Sequence, residues 1–111
     1  MFKKGSKILV VAAHPDDDIL GCGGIMAKYS RDCIFNILFL AEGVSARYSE
    51  DKIRSEECLE EIRQRESNCI EALHLLNIDN PIFTNFPCGR LDTIPIIEIN
   101  KKIEENISSL N

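Results

Sequence analysis

Three short apolar runs, residues 7–13, 33–41 and 81–86, alternate with three segments in which apolar residues return every third or fourth position. Lys-Ile-Leu-Val-Val-Ala-Ala (7–13) has no period of two, the pattern of a parallel strand covered on both faces. Residues 33–41 read as a second buried strand and 81–86 as a shorter third. After the first run, Ile19, Cys22, Ile25, Met26 and Tyr29 share a helical face, with Asp18 or a neighbouring acid as its N-cap. The span Ile53–Leu76 predicts one long amphipathic helix, with Leu59, Ile62, Cys69, Ile70, Leu73 and Leu76 toward the core. Pro95 opens a last helix on Ile96, Ile99, Ile103, Ile107 and Leu110. Strand–helix units in this order give an α/β fold: a Rossmann-like parallel sheet with flanking helices and right-handed crossovers.

In the common doubly wound order, the first strand lies beside the fourth. Three βα units fill these 111 residues, so the fold is expected to be truncated before the fourth strand, with the first strand as an apolar edge. Native proteins seldom leave such an edge open. Residues 1–111 are therefore expected to be the N-terminal part of a single domain, or to cover the edge as a homo-oligomer.

Charge and cysteine usage exclude several functions. Lys and Arg number 13 against 18 Asp and Glu, for a net charge of -5, so no clustered basic surface is expected and no nucleic-acid partner. The N-terminal lysines and the apolar run after them superficially resemble a signal peptide, but that run is about six residues long and acids follow it. No stretch approaches the roughly 20 apolar residues of a membrane span. Cys22, Cys33, Cys58, Cys69 and Cys88 are odd in number and form no C-x-x-C pair, which suits reduced thiols and a cytoplasmic location.

The chemistry concentrates in His14-Pro15-Asp16-Asp17-Asp18, directly after the first strand. Ligands of open α/β sheets bind beyond the carboxyl ends of the strands, so these side chains occupy the place where a site is expected. Pro15 fixes a sharp turn. One imidazole and one carboxylate three residues apart can face a single divalent cation while a neighbouring carboxylate points at the cation's water. That is the hydrolytic zinc arrangement, in which the metal lowers the water's pKa toward roughly 7. An acid-rich turn is often no more than an N-cap cluster favouring the helix dipole. The His-Pro prefix, the strand-end position and the glycines at 21, 23 and 24 favour a site instead. His74 falls near the C-terminal end of the long helix and reads as a surface or helix-cap residue. A receiver-like domain also places paired acids after strand 1, to hold magnesium, but the third strand here ends in Asn85-Phe86-Pro87 rather than an acceptor aspartate. A nucleotide-binding reading of Gly21-Cys22-Gly23-Gly24 lacks the G-x-G-x-x-G pattern, and the preceding acids would repel pyrophosphate.

The stretch AAHPDDDILGCGG (12–24) resembles the Ala-His-Pro-Asp-Asp-Glu signature of the PIG-L/LmbE-like zinc-dependent N-deacetylases, which remove acetyl groups from N-acetylglucosaminyl conjugates. LFLAEGVSAR (38–47) is similar to the family's second strand and its Thr-Asp/Asn-Gly turn, RESNCIEALHLLNI (65–78) to its Arg-x-x-Glu helix, and NFPCGRLDT (85–93) to its Pro-Asp-Gly-x-Leu loop. The resemblance implies Zn2+ as cofactor and a small-molecule amino-sugar conjugate as substrate. His14 and Asp17 would be metal ligands, and Asp16 the general base and later acid. Asp18 would be a supporting carboxylate behind them, with Arg65, Glu42 and Cys88 on the substrate side. Asp18 stands where the family usually has Glu, Cys88 where it has a loop aspartate, Asn68 where it has the helix glutamate and Asn77 where it has a helix-ending glycine. Asn tolerates that left-handed cap. The family's third zinc ligand, in a His-x-Asp-His-like motif after the fourth strand, has no counterpart in the 111 residues. The chain alone is thus expected to be inactive or weakly active. The runner-up reading is a non-catalytic truncated remnant or assembly subunit.

Overall fold

The computed structural model describes residues 1–110. Strands β1 (Lys7–Ala12), β2 (Ile34–Ala41) and β3 (Ile82–Phe86) alternate with helices α1 (Asp17–Tyr29), α2 (Glu56–Leu75) and α3 (Ile96–Ser109). The sheet has the order β1-β2-β3, all parallel, which is the expected α/β architecture with β1 at an edge. β2 is the central strand, so its apolar run is covered on both faces. Phe35, Ile37 and Phe39 join Ala12, Met26, Cys69 and Leu73 in the core cluster on the α1/α2 side, and Leu38, pointing the other way, is equally buried. α3 packs against β1 and β2 yet contributes nothing to that cluster, which puts it on the opposite face. Lys7 Nζ ties β1 to the end of α3 by donating to the Leu110 carbonyl at 2.8 Å.

The apolar run of β1 is only half covered. Ala12 is buried, but Val11 is 41% exposed, because an edge strand has one unpaired side and α3 shields only part of its outer face. α2 also begins later than the periodicity suggests. The Ser55 hydroxyl accepts the Cys58 N–H at 3.2 Å and so caps the helix there, while residues 50–52 form a separate 3-10 turn. At its other end the Asn77 N–H donates to the His74 carbonyl and the Ile78 N–H to the Leu73 carbonyl, each at 3.0 Å. With Asn77 at φ 59 this is a Schellman cap, the left-handed role expected of that residue.

Both later helices follow their apolar stripes in part: Ile62, Cys69, Leu73 and the C-cap Leu76 of α2 and Ile99, Ile103 and the C-cap Leu110 of α3 are turned from solvent, and the departures lie at the stripe edges. On α2 the buried positions are Cys58, Cys69 and Leu73, with Leu59 and Ile70 at the margin. On α3 the buried residue is Asn106, its amide satisfied by the Lys102 carbonyl at 2.8 Å, while Ile96 and Ile107 face outward. Leu73 fills the core and Leu75, two residues on, is exposed. Leu73→Ala is expected to cost about 2–5 kcal/mol in urea denaturation, and Leu75→Ala no more than about 0.5 kcal/mol.

Candidate active site

The chain leaves β1 at Ala12 and must enter α1 at Asp17, and it does so through a backbone conformation that L-residues avoid. Asp16, the N-cap, has φ 116 and ψ -36. Such a conformation costs about 1–3 kcal/mol and persists only where surrounding contacts hold it. Two sets of contacts do so. Asp18 Oδ1 accepts the Asp16 N–H at 3.2 Å. From α2, the Arg65 guanidinium donates to the Pro15 carbonyl at 2.9 and 3.2 Å and to Asp16 Oδ2 at 2.8 Å. Asp16 makes no side-chain cap bond to the helix; Asp17 and Asp18 supply the negative charge of its first turn.

The three consecutive acids thus diverge. Asp17 Oδ2 lies 2.8 Å from His14 Nδ1 and also accepts the His14 backbone N–H at 3.2 Å, so the imidazole and carboxylate expected to act together are in contact. At 38% and 41% side-chain exposure, both remain reachable from solvent. Asp16 is directed instead toward Arg65, and the two border an open groove of about 280 Å³ with Val44, Arg47, Gln64 and Asn68. Asp18 is buried. Burial raises its pKa, in part offset by hydrogen bonds from the backbone N–H groups of Ile19, Asp16 and Asp18 itself, and Oδ2 has no partner among the described residues.

One nitrogen and one carboxylate fit part of the coordination sphere of a zinc-like cation. Among the described residues no group of three or more His, Cys, Asp and Glu side chains converges to complete it. His74 pairs with Asp79 at 3.1 Å, at the opposite end of the sheet from His14.

Glu42 and Cys88, both expected on the substrate side, do not border the groove beside Asp16; Glu42 lines a second groove of about 330 Å³ with Ser45, Arg54, Ile62 and Pro87. Glu42 is buried. Its Oε1 accepts from the Ser45 and Val44 N–H groups at 2.7 and 3.3 Å, and its Oε2 from the Cys88 N–H at 3.2 Å. Burial alone would raise its pKa, but the hydrogen bonds from Ser45, Val44 and Cys88 outweigh that and hold the carboxyl below its ordinary value. Cys88 offers its backbone amide to Glu42, and its side chain is buried. Arg90 likewise turns to backbone, with Nη1 3.4 Å from the Ser45 carbonyl and Nη2 3.5 Å from that of Tyr48. The hold of Arg65 on the Pro15 carbonyl went unread in the sequence, where the only signal was the arginine itself.

The PIG-L family model, described as GlcNAc-PI de-N-acetylase, matches residues 9–111. The chain belongs to the PIG-L family. Among solved structures this PIG-L chain is similar to N,N'-diacetylchitobiose deacetylase from Pyrococcus horikoshii, at 24% identity and TM-score 0.62, over 74% of this chain and 30% of that one. It is also similar to a conserved protein from Thermus thermophilus, at 34% identity and TM-score 0.55, over 75% of this chain and 33% of that one. The PIG-L chain therefore spans about a third of the length of these structures. No curated protein matches it. No helix among the described residues is long and apolar enough to cross a membrane.

Two outcomes follow from this geometry. Glycine accepts the positive φ at position 16 and alanine does not, so D16G is expected to be more stable than D16A by about 1 kcal/mol or more in thermal denaturation at neutral pH. A group whose pKa is depressed on folding stabilises above its ordinary pKa, and that contribution is lost as pH falls through the folded value. The stability gap between the natural chain and E42Q is accordingly expected to be widest above pH 4.5, the ordinary glutamate value, and to narrow below it.

Proposed function

We propose that the chain supplies catalytic residues of a metal-dependent hydrolase that removes the acetyl group from an N-acetylglucosamine-type sugar conjugate. One observation carries this reading: the solvent-open His14–Asp17 contact at 2.8 Å, beside Asp16 held by Arg65, at the strand end of a PIG-L chain. His14 and Asp17 are the donors that would hold a divalent cation, with zinc favoured by the nitrogen and carboxylate pair. A cation bound there supplies Lewis acidity toward the acetamide carbonyl and lowers the pKa of water.

Asp16 accepts a proton from the attacking water and returns it to the departing nitrogen, so the C–N bond breaks to give acetate and a free amine. The Arg65 contact at 2.8 Å aims that carboxylate, and the guanidinium borders the groove where the sugar would lie. The groove's mix of guanidinium, carboxylate and carboxamide groups suits a hydroxyl-rich small molecule. The five free cysteines support a reducing, cytoplasmic setting.

The two-donor set favours a second reading for the chain by itself, a remnant that binds metal weakly and does not turn over. Acetate release from N-acetylglucosamine conjugates with added Zn2+, measured for the chain alone and in its full coding context, separates the two. In the context that is active, D16N is expected to lower kcat by about 10²–10⁴-fold while zinc still binds. H14A and D17A are expected to weaken zinc binding in titration calorimetry. Undiminished turnover by D16N, or zinc binding indifferent to both ligand substitutions, would sink the assignment of roles. Robust zinc-dependent turnover by the chain alone would remove the remnant reading.

A further inference from the structure

We infer that Glu42 is a positioning residue whose buried carboxylate fastens the loop after β2 to the loop after β3 and thereby holds Gly43 against His14 and Arg65. The inference rests on the proposed function only for the identity of the site that is being held.

Glu42 gathers backbone N–H groups from two loops: Val44 and Ser45 of its own loop on Oε1, and Cys88, 46 residues along the chain, on Oε2 at 3.2 Å with a longer contact to Oε1 at 3.4 Å. Burying an ionised carboxylate is costly unless hydrogen bonds compensate it, and these amides in turn would be orphaned by an apolar side chain at this position. A change in strand pairing brings the second loop within reach. The ladder passes from Phe39 opposite Phe83 to Ala41 opposite Phe86, so three residue steps of β3 answer two of β2. Asn85, at φ 60, lies within that bulge. The next turn, Pro87 to Arg90, then lies over the first loop. Gly89 is so close that a Cβ there would sit 3.0 Å from Ala46 Cβ, and Arg90 reaches the Ser45 and Tyr48 carbonyls from the acceptor side.

The consequence for the site comes through Gly43. At φ 83 its backbone presses onto both functional side chains: a Cβ there would lie 3.0 Å from Arg65 Nε and 3.1 Å from His14 Cβ. Residue 43 is fixed between the anchored carboxylate of Glu42 and the anchored amides of Val44 and Ser45. The wall against which His14 and Arg65 rest is therefore set by Glu42, which does not itself border the groove.

Glutamine at position 42 makes a discriminating probe. It keeps one acceptor oxygen, shared by Val44 and Ser45 and 3.4 Å from the Cys88 nitrogen, but sets an NH2 where the shorter Cys88 contact was, donor against donor. In 15N NMR of the chain, E42Q is expected to speed exchange of the Cys88 amide at least tenfold while the Leu73 amide keeps its rate. It is also expected to shift the side-chain nitrogen resonances of His14 and Arg65. R90M, which releases the same loops from the carbonyl side, is expected to move those two side chains too and carries the test if E42Q fails to fold. Unchanged Cys88 exchange in E42Q would overturn the clamp. A freed Cys88 amide with His14 and Arg65 resonances unmoved would overturn the positioning role and leave Glu42 purely structural. Neither readout needs turnover, so loss of the deacetylase reading and loss of the clamp are separate results.

Discussion

The reach of Arg65 from α2 to the turn after β1 is the contact on which the site geometry depends. That turn holds an aspartate at positive φ and three acids in a row, an arrangement that would relax by backbone rotation or repulsion if nothing opposed it. A guanidinium can satisfy a carbonyl and a carboxylate together because its donors lie in one rigid plane, and Arg65 uses that plane on Pro15 and Asp16. Its position is secured by the register of α2. Cys58, Arg65, Cys69 and Leu73 lie at helical spacing along one stripe, so the Ser55 cap and the core contacts that orient α2 also aim the arginine.

With that turn fixed, neighbouring acids acquire different chemistry from different surroundings. Successive residues at the start of a helix point about 100° apart, so Asp17 and Asp18 cannot share an environment. Asp17 meets His14 in the open, whereas Asp18 enters the interior and returns one oxygen to the Asp16 amide. Asp18 therefore braces the strained residue from inside while Arg65 braces it from outside. Burial, which raises the Asp18 pKa, comes with the same inward placement.

What the sequence disclosed was local. The alternation of strands and helices, the left-handed cap at Asn77 and the convergence of His14 and Asp17 all follow from residues within one turn of each other. What stayed hidden depends on partners far along the chain. Nothing near Glu42 announces that the amide of residue 88 will meet it, since that needs the bulge at Asn85 and the parallel pairing of β2 with β3. The edge of one helix stripe stayed hidden for a different, local reason. Ile107 fits the apolar stripe of α3, yet Asn106 is buried, because a side-chain amide that bonds back to its own helix loses its polar penalty.

The site sits at the end of an edge strand, and this leaves one side of it open. On the β2 flank, Gly43 and Arg65 close tightly on His14, so that a Cβ at position 43 would meet both side chains at 3.0–3.1 Å. On the other flank β1 has no neighbouring strand among the described residues, and His14 and Asp17 remain accessible. A further donor to a cation held by these two residues would have room to approach across the unpaired side of β1. The unpaired edge of β1 and the solvent-open His14–Asp17 pair adjoin each other at the end of one strand, so whatever covers the first would lie beside the second.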